Sequence, residues 1–298
     1  MCRTIIRAVY PFADLDLARR LERAEGLANA RCVEARARVA PDVGAAWIAV
    51  AGAMAMFDGP TSPMTQTFGL GLFDPVTAAD LDRIEAFFAA LGAPAHHEVS
   101  PVAGPPIHAL LTGRRYEPFE FTSVMYRPTA TNGDQVRLKP DATTEGAASY
   151  VASGFSRTSP AALTVRTVGE AEGELWARTA AEGWSDTPGA SDYMLTIGRT
   201  FAVTAGTHLY LAELDGRPIA AATLHMHEGV ALMAGASTIP SARGRGAQLA
   251  LLERRLQDGF ANSCDLAMMG ALPGSISQRN AERHGFRIAY TRVKWRQQ

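Results

Sequence analysis

The chain has 298 residues, 47% hydrophobic and 20% charged, with a formal net charge of -1. This is the composition of a globular protein, and the near-neutral balance argues against nucleic acid as a partner, although a local basic cluster can still hold a phosphate. Three cysteines, Cys2, Cys32 and Cys264, are too few and too scattered for a disulfide framework or a zinc site. The first residues lack the apolar core of a secretory signal. The longest apolar run, residues 45–57, is shorter than the roughly 20 residues a membrane span needs. A cytoplasmic protein with no membrane partner is expected, its oligomeric state left open.

In chain order, residues 12–39 carry Leu15, Leu17, Leu21 and Leu27 among Arg and Glu at helical spacing. Residues 45–57 and 65–73 read as strands joined by a turn at Asp-Gly-Pro-Thr-Ser-Pro. Thr77 caps a helix that ends at Gly92. His96, His97 and Glu98 begin a short strand, residues 104–115 form a short helix, and residues 119–127 a strand. Adjacent histidines on a strand face opposite sides, so no metal site is expected at His96 and His97. Residues 129–162 are small, polar and aperiodic, and are expected to be a flexible linker or insertion. From residue 163 the order is β-α-α-β-β-β-α-β-α-β, with hairpin turns at Asp215-Gly216 and Glu228-Gly229.

The stretch after the strand of residues 230–238 is the most informative. An uncharged run passes through Ile-Pro-Ser-Ala-Arg-Gly-Arg-Gly into an amphipathic helix. A strand that leads through glycines into a helix N-terminus suits a phosphate, because unpaired N–H groups and the helix dipole both favour an anion. The alternative is a turn whose glycines serve chain geometry alone. A dinucleotide fingerprint fails, since Leu249 stands where a third glycine belongs, and no Gly-Lys-Ser/Thr follows for a Walker loop.

The segment Ile-Pro-Ser-Ala-Arg-Gly-Arg-Gly-Ala-Gln-Leu-Ala-Leu-Leu resembles the acyl-CoA loop of the GNAT superfamily of N-acetyltransferases, with the pattern Arg-x-x-Gly-x-Gly/Ala. Arg243 and Gly246 match, and Gln248 departs at the last position, where its side chain must turn away from the diphosphate. Residues 277–292, with Gly285-Phe286 closing a helix, are similar to the family's later motif. The resemblance implies that backbone groups of Ala236, Ser237, Thr238 and Ile239 pair with the pantetheine arm of acetyl-CoA. It implies that the N–H groups of Arg243, Gly244, Arg245, Gly246, Ala247 and Gln248 hold its diphosphate, and that Asn280 contacts the cofactor. Many members carry a tyrosine before Gly-Phe to protonate the leaving thiolate. That slot is Ala281 here, which leaves Tyr290, Ser277 or water to serve.

The first half repeats the element order β-α-β-α-β, with Asp-Pro-Val-Thr in place of Arg-Gly-Arg-Gly, so its helix start would repel a diphosphate. The expectation is α/β, two tandem GNAT-like domains, each a mixed twisted sheet flanked by helices. Residues 1–128 form a degenerate copy, 129–162 the linker, and 163–298 the acetyl-CoA-binding domain. The implied activity is acetyl transfer to an amine, a small molecule or a peptide, without a metal. Two histidines, His225 and His227, share one face of a strand beside the cofactor strand, with Glu228 at the turn. His227 and Glu228 are base candidates, or else solvated residues at a hairpin tip. A non-catalytic acyl-CoA-binding module is the competing reading.

Overall fold

The computed structural model describes residues 10–129 and 163–298. The expected linker lies outside the described residues except for Thr129, which is buried, its N–H bonded to the Asp265 carbonyl and its hydroxyl donating to the Cys264 carbonyl.

The first half begins with α1 (Leu15–Val39), opened by Asp14, whose carboxylate accepts from the Leu17 N–H at 3.0 Å, and closed with Arg36 and Arg38 in the last turn. There follow β1 (Ala46–Val50), β2 (Ala53–Phe57), β3 (Gln66–Phe68), α2 (Ala78–Ala90), β4 (His96–Val99), α3 (Pro105–Gly113) and β5 (Tyr116–Pro128). The apolar run of residues 45–57, expected as one strand, is a hairpin. Ala51 (φ 47°) and Gly52 (φ 74°) form its two-residue turn, with Val50 opposite Ala53. Both strands are apolar up to the turn, so periodicity does not mark the reversal.

The second half contains β6 (Leu163–Val168), α4 (Gly173–Glu182), α5 (Ala190–Ala202), β7 (Thr207–Leu214), β8 (Arg217–His227), β9 (Val230–Thr238), α6 (Ala247–Ala261), β10 (Leu266–Ala271), α7 (Ile276–Arg283) and β11 (Arg287–Gln297). The hairpin turns at Asp215-Gly216 and Glu228-Gly229 are present, each residue at positive φ. None of these helices is long and apolar enough to cross a membrane.

The eleven strands of the described residues join in one mixed sheet, ordered β1-β2-β3-β4-β11-β5-β10-β9-β8-β7-β6. Each half contributes a mixed segment, and the final strands are exchanged: β11 lies against β4, and β5 against β10. The central pair, β5 with β11, is antiparallel from Tyr116 opposite Gln297 to Tyr126 opposite Arg287. That relates the halves by an approximate two-fold axis, under which α2 corresponds to α6 and the parallel pair β3–β4 to β9–β10.

Alternation on β9 and β10 divides the core. Ala231, Met233 and Ala267 meet Leu251 and Leu252 of α6 on one face, while Val230, Leu232, Leu266 and Met268 meet Leu17, Leu21 and Ala24 of α1 on the other. The helix of the first half thus roofs the sheet of the second. Leu21 is fully buried, and truncation to Ala there would cost about 2–5 kcal/mol.

A buried ionic cluster ties α1 to the exchanged strand. Arg292 contacts Glu25 at 2.8 Å, Glu98 at 2.9 Å and Glu22 at 3.3 Å, and Tyr290 donates its hydroxyl to Glu22 at 2.9 Å. Burial pushes the Glu22 carboxyl up to about 7, with Arg292 opposing.

Candidate functional site

The two parallel strands β9 and β10 pair only from Val230–Leu232 with Leu266–Met268. Beyond that point β9 stays with β8 as far as Thr238, and β10 stays with β5 as far as Ala271, so a cleft opens between them. Within β9 the register to β8 shifts: Ala234 faces Thr223 and Ser237 faces Ala221, which leaves Gly235 and Ala236 as a bulge, with Gly235 at φ 58°.

The chain leaving β9 makes a turn at Pro240–Ala242 and enters α6 through Gly244 (φ 77°) and Gly246 (φ 81°). Both φ values favour glycine; a Cβ on Gly244 would meet nothing within 4 Å, and one on Gly246 would meet the Leu163 side chain at 3.8 Å. Gly246 is the N-cap and brings no capping side chain. The first helical bond is Ala250 N–H to the Gly246 carbonyl. Among the described residues, the N–H groups of Gly244, Arg245, Gly246, Ala247, Gln248 and Leu249 therefore have no hydrogen-bond acceptor. These donors and the helix dipole converge at the mouth of the β9–β10 cleft.

The first half differs at the corresponding place. Thr77 accepts from the Asp80 N–H while Asp80 accepts from the Thr77 N–H, a closed capping box. In the chain just before it, Phe73 packs against the β1–β2 turn and the end of β3, so tightly that a Cβ on Gly52 or Gly69 would come within 2.4 or 2.6 Å of it. The Arg23 guanidinium covers its ring at 4.5 Å. Strand β3 ends at Phe68, still paired with Glu98 of β4, so the two strands stay together to the end of β3.

Several expected contacts need correction. The Arg243 N–H is taken by the Pro240 carbonyl at 3.3 Å, and the Ile239 N–H by the Ile219 carbonyl at 2.9 Å, so neither is free as a donor. The Arg243 guanidinium clamps Asp186 with two bonds of 2.5 and 3.0 Å and reaches the carbonyls of Gly183 and Thr238. It ties the loop to the α4–α5 connection, and its bonds hold the Asp186 carboxyl below its usual range. Ser237 donates to the Ala180 carbonyl at 2.9 Å. Arg245 has no ion pair among the described residues and lines an open depression of about 440 Å³ with Arg217 and Ser241. Gln248 turns its side chain back to Thr238, as expected for a residue that leaves its backbone face clear. Asn280 is exposed on α7.

The proposed catalytic side chains do not gather at the cleft. His227 and Glu228 sit 3.6 Å apart at the tip of the β8–β9 hairpin, separated from Thr238 by the length of β9, about 26 Å. Tyr290 is buried with Glu22, and three strand spacings, about 14 Å, separate β11 from β9. Ala281 packs in the core with Leu251 and Phe286. His225 lies nearer the bulge, but burial pushes its imidazole down to about 4, which makes it a neutral, weak base.

Arg255 carries no signal in the sequence, where Glu-Arg-Arg on an amphipathic helix reads as a solvated face. It is 4% exposed. Its guanidinium donates to the carbonyls of Thr223 at 3.0 Å and Ala234 at 3.4 Å, on either strand at the start of the bulge, and to Leu251 at 3.1 Å. No carboxylate pairs with it among the described residues, and burial lowers its pKa to about 10.

Neither a family model nor a curated protein sequence matches this chain. Solved structures do match. A GCN5-related N-acetyltransferase from Kribbella flavida is similar at 18% identity and a TM-score of 0.61, over 97% of this chain and 96% of that one. A GCN5-related N-acetyltransferase from Sphaerobacter thermophilus is similar at 15% identity and 0.50, over 98% and 94%. A tandem GNAT protein from the clavulanic acid biosynthesis pathway is similar at 14% and 0.51, over 82% and 77%. At these identities the likeness is one of fold, and it takes in both halves.

Proposed function

With a chain of the tandem GNAT fold as the premise, we propose an acetyl-CoA-dependent N-acetyltransferase that moves an acetyl group to an amine acceptor by direct transfer in a ternary complex. The observation that carries this reading is the uncapped start of α6 at the mouth of the β9–β10 cleft, set against the capped start of α2. Six backbone donors and a helix dipole suit a diphosphate. The unpaired edge of β9 suits the amides of a pantetheine arm, and the bulge at Gly235 and Ala236 frees backbone groups where the thioester would lie.

Acetyl-CoA supplies an acyl group already activated as a thioester. The chain binds the diphosphate, aligns the arm along β9 and brings the amine to the acyl carbon. The amine nitrogen bonds to that carbon, the C–S bond breaks, and the proton lost by the amine reaches the departing thiolate. Neither Ala281 nor Tyr290 offers a hydroxyl at the cleft, so water, or the exposed Ser277 of α7, carries the proton in this reading. The same two residues favour the second reading, an acyl-CoA-binding module without turnover. Acetyl-CoA consumption against a panel of amines separates the two.

The test of the cleft itself is Gln248→Glu. Position 248 is the second residue of α6 and exposed, with no backbone strain to confound the result. A carboxylate at an empty helix start stabilises by about 0.3–1 kcal/mol, but beside a diphosphate it repels. The variant also loses the amide's bond to Thr238, about 0.5–1.5 kcal/mol, which roughly offsets that gain, so the free protein should melt close to the parent, while the rise in Tm caused by CoA should vanish. A full CoA shift in the variant would remove the ground for the reading.

A further inference from the structure

A second cleft, of about 360 Å³, lies where the halves meet, between the C-terminal part of α1, the β2–β3 connection and α5. Arg36, Asp58, Ser62, Tyr193 and Thr196 line it, and Asp42 stands at its exposed rim. The Asp58 side chain is 5% exposed. One of its oxygens accepts from the Ser62 hydroxyl at 2.8 Å. The other has Arg36 Nε at 3.5 Å and no hydrogen bond among the described residues. Burial raises the Asp58 carboxyl, against the pull of Ser62 and Arg36, and pushes the Tyr193 hydroxyl up to about 12, so the tyrosine is a neutral donor.

The lining therefore sets two carboxylates against one guanidinium, with hydroxyls around them. A buried carboxylate short of donors is costly, and a charged donor relieves it. An anion would meet Asp58 and Asp42. An ammonium, with three N–H donors, meets a carboxylate and neighbouring hydroxyls.

Helix α5 runs from the cleft to the candidate transfer site. Tyr193, Ile197 and Phe201 recur every four residues and share a face of that helix. The first two line the cleft. The Phe201 ring lies 3.9 Å from where a Cβ on Gly235 would stand, at the β9 bulge. From Tyr193 to Phe201 the helix rises about 12 Å.

We propose that this cleft seats the acceptor, and that the acceptor is an elongated di- or polyamine. One ammonium is held at Asp58, and the amine to be acetylated lies at the bulge, further along α5 by the rise of about 12 Å from Tyr193 to Phe201. The inference rests on the acetyltransferase reading for the fate of the second amine, but not for the first. Binding at Asp58 can be measured without CoA.

Calorimetry with 1,8-diaminooctane as the probe, without CoA, should give one site per chain. Asp58→Asn should weaken it at least tenfold. Because Asp58 is buried, Thr196→Trp is the companion variant. It fills the cleft from an exposed helical position and should weaken binding as much, while both variants keep the CoA-induced Tm rise of the parent. In turnover, kcat/KM should climb along the α,ω-diamine series and exceed that of the monoamine of equal length at least tenfold. Diamine affinity unchanged in both variants would overturn the proposal, as would octylamine binding as tightly as the diamine. Absence of CoA binding would fail the acetyltransferase reading through Gln248→Glu and its parent, and would leave this calorimetric result standing.

Discussion

The side-chain amide of Gln248 donates to the hydroxyl of Thr238 at 2.7 Å, across the turn that joins β9 to α6. The small residue of the Gly/Ala pattern is replaced here by a long one that folds away from the backbone donors. The backbone, not the side chain, is then what meets an anion. Gln248→Ala should lose about 0.5–1.5 kcal/mol of stability with its hydrogen bond. Its affinity for CoA should stay within about twofold of the parent by calorimetry. A tenfold loss would mean that the amide itself touches the ligand.

One molecule of CoA should bind per chain. The N-terminus of α2 is already closed by the capping box of Thr77 and Asp80. Thr77→Ala should cost about 0.5–2 kcal/mol as a lost cap and leave CoA binding unchanged. A calorimetric stoichiometry of two would show that the first half retains a working site.

Stability should decline as pH rises toward and through 7. Glu22 is raised from an ordinary 4.5 to about 7, chiefly by burial. A group raised in the folded state contributes stability that is fully present below its unfolded value and is lost as pH climbs through its folded value. The loss should therefore run from about pH 4.5 to somewhat above 7. Glu22→Gln mimics the protonated acid, keeps an acceptor for Tyr290 and should flatten that part of the profile. Urea midpoints of parent and variant at pH 5 and pH 8 check this. Equal pH slopes would show that Glu22 is ionised throughout.

How far the sequence speaks for itself depends on the range of the interaction. Thr77 with its acid three residues on, Asp215-Gly216 and Glu228-Gly229 are local devices, and each appears where the pattern puts it. The open start of α6 is equally local, because Gly244 and Gly246 announce it. The exchange of β5 and β11 is not local. Alternation tells which residues face the core, but not which strand lies alongside. Glu22 and Glu25 read as the polar side of α1 until Arg292 arrives from the far end of the chain. Asp58 likewise looks like a turn residue, and only the packing of α5 against α1 makes it the floor of a cleft.

Arg255 supplies the last prediction. It is a buried cation whose hydrogen bonds end on main-chain carbonyls, of Thr223 on β8 and Ala234 on β9, at the start of the bulge. Two strands that could pair regularly are held out of register there, and a single nitrogen, Arg255 Nη1, donating to both carbonyls favours the irregular arrangement. Arg255→Met leaves those carbonyls short of donors, at about 1–3 kcal/mol for each left unsatisfied. Relief of the buried charge offsets part of that cost. A modest loss of stability is expected whatever the role of the bulge, so stability alone decides nothing. The deciding measurement is the dissociation constant for CoA. If the bulge frees the backbone that aligns the pantetheine arm, it should rise at least tenfold, about 1.4 kcal/mol. Diamine binding at Asp58 should not change. Arg255→Lys keeps the charge but lacks the second nitrogen that anchors the group on the Leu251 carbonyl, and should recover only part of the affinity. A methionine variant that is less stable yet binds CoA like the parent would make Arg255 a packing residue and separate the bulge from the binding of the arm.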